Sequence, residues 1–344
     1  MRRRRLALTA LGLIVVAALV YAFWPAPNSR ALRVGLAPYQ DLAMIVNIKS
    51  LGLEKQYGTD VDLVTLPWEQ ILPSVATLGR GLDLGFASYT EYLTQYSNLN
   101  AGNNDPVLFI FPLYVFKGGA FITFKTDVPA LTAESITDRQ LVSKVLDRKI
   151  GAQKKSAYEM MIFRLAQLNN IDPKTVQLID TPLDQGFIAA EQGSLDLAEA
   201  GLTQITEAQR RGGRIVFTMD DLKFADFTGF ILKKSVYDAR QKDVKNLIRM
   251  WFDCVNYVYA DLDANSKDSL TYLNSQASTR YTIEEYKRAL SQEYLPRSLD
   301  EAKKQFVDDS GRFPFRTIRT TIFQYLIQEG VMKASPNIPD FIQP

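Results

Sequence analysis

The side chains best suited to hold a ligand sit where short apolar runs give way to polar residues. There a strand ends and a loop can present chemistry. Tyr39 and Gln40 follow Leu32–Ala37. Trp68 follows Val61–Leu66, and Ser88, Tyr89 and Thr90 follow Leu82–Ala87. Hydroxyls and free backbone N–H groups at the start of a helix suit an anion or a polar group. Lys155 and Ser156 precede a helical stretch, where positive charge, a capping hydroxyl and free N–H groups suit a carboxylate, sulfonate or phosphate. Tyr158 lies one turn further on. Glu199 follows another apolar run and favours a cation or a hydrogen-bond donor, opposing the lysine. Asp41 reads as a helix cap rather than a contact. Tyr114, Lys117, Gly118, Asp226 and Thr228 form a weaker second group. The set is aromatic and mixed in charge. It suits a mid-sized organic molecule with a ring and a polar group, since a compact inorganic anion needs a tighter ring of donors.

Other chemistry is excluded by composition. The chain has no histidine, which removes Ser-His-Asp triads and His-ligated metal sites. Its one cysteine, Cys254, lies in an apolar helical run, so it forms no internal disulfide and reads as a buried thiol. No catalytic residue, metal site or cofactor is expected. The formal net charge is +2 over 344 residues, with four arginines at Arg2–Arg5, so no basic stripe marks a nucleic-acid partner.

The elements that must position the candidates form an internal repeat. Leu32–Ala37, Val61–Leu66 and Leu82–Ala87 read as strands, separated by helical stretches Asp41–Ser50 and Trp68–Leu78. The same order returns about 115 residues later. Strands are expected at Lys149–Ala152, Val176–Asp180 and Leu195–Ala198, with helices at Ser156–Leu168 and Asp184–Gln192. VDLVTLPWEQ (Val61–Gln70) aligns with VQLIDTPLDQ (Val176–Gln185), and GLDLGFAS (Gly81–Ser88) shares Leu-Asp-Leu with GSLDLAEA (Gly193–Ala200). The fold class is therefore α/β, with two Rossmann-like lobes and a largely parallel sheet in each. Ligands of such sheets bind beyond the carboxyl ends of the strands. Val107–Phe116, Ala120–Phe124 and Phe227–Leu232 are expected to carry the crossings between lobes, and a mainly helical segment follows Asp238. Hinge closure on a small molecule is the natural mechanism.

The N-terminus combines the arginine block with an apolar run, Leu6–Trp24, ended by Pro25–Ser29. That length is close to the ~20 residues that span a bilayer. An uncleaved anchor within residues 1–30 is expected, with cleavage after Ala22 as the alternative. Both put the remainder outside the cytoplasm.

RVGLAP (Arg33–Pro38), LGLEKQYGTDVDLV (Leu51–Val64), the GLDLGFAS segment, DRKIGAQKKSAYEM (Asp147–Met160) and the C-terminal TIEEYKRAL together resemble the type II periplasmic solute-binding proteins of ABC importers. The branch is the nitrate/sulfonate/taurine and thiamine-precursor one. The resemblance is diffuse and spans Leu32 to the end. It implies a first lobe from residues 31–119 and 219–344 and an inserted lobe at 120–218. It also implies a monomer that hands a small-molecule ligand to an ABC permease in the membrane. The anchor-like N-terminus departs from the family pattern. A membrane-anchored ligand sensor is therefore the alternative, and a pyrimidine-precursor synthase is disfavoured by the missing histidine.

Overall fold

The computed structural model describes residues 31–77, 81–100, 104–276, 280–328, 330, 332 and 341. The expected N-terminal anchor and nearly all of the C-terminal tail lie outside the described residues.

Short β-branched and apolar runs make ten strands among the described residues. They are β1 Leu32–Leu36, β2 Val61–Thr65, β3 Leu84–Ser88, β4 Val107–Phe116, β5 Ala120–Thr123, β6 Ile150–Ala152, β7 Leu178–Asp180, β8 Leu197–Ala200, β9 Arg214–Thr218 and β10 Asp226–Lys233. The first five-stranded sheet runs β2-β1-β3-β10-β4 and the second β7-β6-β8-β5-β9. The repeat read in the sequence is present in space. β1 pairs in parallel with β2 and β3, as β6 does with β7 and β8. In each sheet one strand runs against its neighbours: β10 between β3 and β4, and β5 between β8 and β9. Both sheets are thus parallel except at the strands where the chain changes sheet.

Matching prolines start matching helices. Pro67 precedes the helix Trp68–Ala76 and Pro182 the helix Leu183–Glu191, with φ of −53° and −59°. The fixed φ of proline ends the strand and starts the next helix at a set angle. Ser156 caps Ala157–Leu168 by accepting from Tyr158 N and Glu159 N. Asp41 does not cap. The turn after it, Ala43–Val46, is a 3-10 helix preceded by Leu42 and lacks a side-chain cap. Sequence reading also passed over the helices Arg139–Leu146 and Leu202–Arg210 and the strand β9.

The helical segment after β10 covers the first sheet. Its long helix, Lys234–Ala260, is kinked at Arg240 and buries Trp251 completely. The Trp251 ring lies edge-on to Phe86, 5.3 Å between centroids, and stacks near Tyr114 at 6.0 Å. Cys254 is fully buried on the same helix, and burial pushes its thiol pKa up.

The first crossing, Lys117-Gly118-Gly119 between β4 and β5, is tied down by Glu293. Its buried carboxylate accepts from Lys117 N at 2.8 Å and Gly118 N at 3.1 Å. A Cβ on Gly118 would stand 2.3 Å from Glu293 Oε1 and 2.5 Å from Leu202 Cδ2. Glycine is required there by close approach. Gly118→Ala is therefore expected to destabilise the protein by about 1–3 kcal/mol, the ordinary cost of overpacking. Urea denaturation measures it, and an unchanged midpoint would contradict this account of the crossing.

Candidate functional site

The three parallel strands of each sheet point their carboxyl ends at one cavity of about 390 Å³. After β1 come Tyr39 and Asp41, after β2 Trp68 and Glu69, and at the end of β3 Ser88 and Glu91. Tyr114 and Phe116 of β4 and Asp226 and Thr228 of β10 complete that wall. The second sheet answers with Gln153, Ala157 and Tyr158 after β6, Asp180, Pro182 and Leu183 at β7, and Glu199, Gly201, Leu202 and Gln204 at β8. A cavity of this size, with aromatic walls and a few fixed polar groups, is the form of a small-molecule site.

Of the residues expected from sequence, Tyr39, Trp68, Ser88, Tyr158 and Glu199 line this cavity, as do Tyr114, Asp226 and Thr228 from the weaker group. Tyr39 and Trp68 lie 6.0 Å apart, tilted by 34°. Glu199 stands inside β8 rather than after it, paired across the sheet with Phe121.

The others stand elsewhere. Tyr89 is turned into the core, edge-on to Phe109 and against Phe315. It directly follows β3, and the helix beginning there points it inward. Thr90 is fully buried, and its N–H donates to Asp226. Ser156 is consumed by capping and by donating to Gln153 O. Lys155 is exposed at φ +61°, where its carbonyl accepts from Thr94 Oγ1. Gln40 is fully buried and joins the two lobes by accepting from Thr203 Oγ1 at 2.9 Å. Lys117 pairs with Asp220 at 2.9 Å instead of facing the cavity. The expected anion grip at Lys155 and Ser156 is therefore not part of the cavity.

Sequence reading missed Glu91, Gln153, Asp180, Leu183 and Gln204. Two of these carried a signal. The internal repeat pairs Leu183 with Trp68, and Glu91 lies one helical turn after Ser88.

The electrostatics of the cavity are one-sided. Asp41, Glu69, Glu91, Asp180, Glu199 and Asp226 line it, and no lysine or arginine among the described residues does. Asp226, 1% exposed, accepts from Ser88 Oγ, Thr90 N and Phe227 N. Glu91 accepts from Trp68 Nε1 at 2.8 Å. Glu199 accepts from Gln153 N, and Asp41 from the Tyr114 hydroxyl. These bonds favour the ionised forms, but desolvation wins. It lifts Asp41 and Asp226 to about 6, against the bonds from Tyr114 and Ser88. Desolvation lifts Glu91 to about 7, helped by the charges of Asp226 and Glu69. Glu199 is raised well above its ordinary value by burial, with the charges of Glu91 and Asp180 adding to it. Burial and the neighbouring carboxylates also hold Tyr39 and Tyr158 as neutral phenols.

Comparison with known proteins places the chain. A model described as the NMT1-like family matches residues 25–273. No curated protein matches by sequence. Among solved structures, the alkanesulfonate-binding protein SsuA from Xanthomonas axonopodis pv. citri, bound to MOPS, superposes with a TM-score of 0.64 at 14% identity, covering 92% of this chain and 97% of that one. The periplasmic nitrate-binding protein NrtA from Synechocystis PCC 6803 gives 0.63 at 15% identity, covering 91% and 85%. The ligand-binding component of an ABC-type import system from Staphylococcus aureus, with zinc bound, gives 0.63 at 11%, covering 92% and 97%. At these identities the likeness is one of fold: two sheets and helices in the arrangement of periplasmic binding proteins.

The raised carboxyls set a pH dependence. Each binds its proton more tightly folded than unfolded, so the folded state holds more protons between the ordinary carboxyl value and the raised one. Stability is then highest at low pH and falls as pH rises through about 6 to 7. The ligand-free protein is expected to melt at lower temperature at pH 8 than at pH 5. Glu91→Gln, which keeps an acceptor for Trp68, is expected to recover about 1–3 kcal/mol at pH 8 and little at pH 5. A melting temperature that rises over this range, or a variant no more stable at pH 8, would contradict the assignment.

Proposed function

The chain belongs to the NMT1-like family, and from that premise we propose that it is the extracytoplasmic substrate-binding component of an ABC-type importer, closing two lobes on a small organic ligand with a ring. One observation carries this reading: the cavity wall is shared by the strand ends of both sheets. Bonds between the lobes rim the same cleft, Thr203 to Gln40 on one side and Thr94 to the Lys155 carbonyl on the other. Arg210 of the second lobe pairs with Glu285 of the C-terminal helices. Gln167 also donates to Gln328, and Phe163 packs on Tyr325. Separating the lobes breaks side-chain contacts of this kind and flexes the two crossings, which is the mechanics of hinge closure.

Tyr39, Trp68 and Tyr158 supply the ring contacts in this reading, with offset or edge-on packing. Binding without chemical turnover fits the absence of any histidine and the position of Cys254 in the core, on a helix outside the cavity. The N-terminal Arg2–Arg5 and Leu6–Trp24 would tether the domain beside its permease, which raises their local concentration. The family match begins at residue 25, where the apolar run ends.

Native mass spectrometry of the gently purified protein is expected to show a co-purified small molecule that Trp68→Ala releases. Repeated preparations with no adduct, and no compound of a broad ring-containing library that shifts the melting temperature, would contradict the binding role. Mass spectrometry of the same preparation expressed at full length is expected to find residues 1–24 retained. A mature N-terminus at Phe23 would contradict the tether.

A further inference from the structure

Every charged group in the cavity wall has the same sign. Asp41, Glu91, Glu199 and Asp226 form its floor, and Glu69 and Asp180 its rim. Among the described residues none of the four floor carboxylates enters an ion pair. Basic residues near the wall in sequence are engaged or turned away: Lys117 pairs with Asp220, Arg210 with Glu207 and Glu285, and Lys154, Lys155 and Lys223 are exposed. Burial of several like charges together is costly, and it is relieved by taking up protons or by an opposite charge that joins them.

A second observation is independent of charge. Gln204 is 4% exposed, lines the cavity, and spends its amide N–H on Asp184. Its Oε1 has no hydrogen-bond partner among the described residues, and neither has Asp41 Oδ1. A buried acceptor without a donor loses its hydration and gains nothing in return. Two buried acceptors of the wall therefore await a donor.

The aromatic faces supply the remaining constraint. Tyr39 and Trp68 stand together at one end, and Tyr158 faces them from the other lobe. An aromatic face attracts a cation within about 6 Å of its centroid.

We propose that the ligand is an organic cation: an ammonium, amidinium or protonated aminoheterocycle carrying an apolar or aromatic body. This deepens the binding-protein reading of the same cavity and rests on it. The positive group sits among the floor carboxylates and donates to Gln204 Oε1 and Asp41 Oδ1. The body packs on Tyr39, Trp68 and Tyr158. A sulfonate or nitrate, as named for the structural relatives, meets six carboxylates and no base. The fold is shared, and the wall selects the opposite charge.

The test uses the full chain after removal of any co-purified molecule, and three probes of one shape and different charge: benzylamine, benzyl alcohol and benzenesulfonate. Thermal shift at neutral pH and millimolar concentration is expected to show stabilisation by benzylamine and none by the other two. Glu199→Gln, which keeps an acceptor for Gln153 N, is expected to reduce that stabilisation severalfold, with Asp41→Asn as the second variant should the first not fold. Stabilisation by benzenesulfonate, or equal stabilisation by benzyl alcohol, overturns the charge assignment and leaves the binding reading standing. No response to any of the three, with an anionic or neutral co-purified molecule, overturns the charge assignment alone. No response together with no co-purified molecule removes both.

Discussion

Parallel strands end on a common side, and two parallel sheets share a ligand cleft only when the chain joins them with their ends facing. In this molecule the joining is done by β5 and β10, the two strands that run against their sheets. Each enters its sheet from the cleft side and sits beside the strand whose end faces the cavity. β10 follows the second crossing and brings Asp226 and Thr228 to the wall, while β4 brings Tyr114 and Phe116 to the first crossing. The first crossing is anchored at its base by Glu293, which accepts from the Lys117 and Gly118 amides. The same residues that connect the lobes therefore also build the site.

From this arrangement the acidity of the cavity follows in physical terms. Strand ends and helix starts present backbone N–H groups, which can hold carboxylates in the ionised form. Thr90 N and Phe227 N donate to Asp226, and Gln153 N to Glu199, which favours the ionised forms without outweighing burial. Six carboxyls around one space exceed what those amides offset. Desolvation raises the floor carboxyls, and a positive group is what the cavity lacks.

Much of the fold was legible because it is written twice. The paired segments at Val61–Gln70 and Val176–Gln185 become β2 and β7 with their proline-started helices. Tyr39, Trp68, Ser88 and Glu199 follow from one rule, that residues at strand ends face the cleft, and Tyr158 from its place one turn into a helix; all five line the cavity. That rule has no power over direction within a helix. Tyr89 is next to Ser88 in sequence, yet Ser88 ends β3 and Tyr89 opens the following helix, and one faces the cavity while the other faces the core. Lys155 and Ser156 illustrate the other limit. A helix start with a basic neighbour suits an anion, but here the cap is spent on its own helix and the left-handed backbone at Lys155 leaves the side chain exposed. Gln204 is a polar residue within a helix, which no local pattern places on the cavity wall.

The central claim is that two lobes close over one occupied cleft, and the distance across it tests that most directly. Gln70 and Gln185 are exposed, occupy matching positions of the repeat, and lie on helices at opposite sides of the cavity. Spin labels at Gln70→Cys and Gln185→Cys, with Cys254 buried and unlabelled, would report the separation by pulsed electron paramagnetic resonance. The account predicts a broad, longer distance in protein stripped of small molecules and a narrow, shorter one in protein as purified or saturated with a stabilising ligand. One unchanged distance in both states would contradict it.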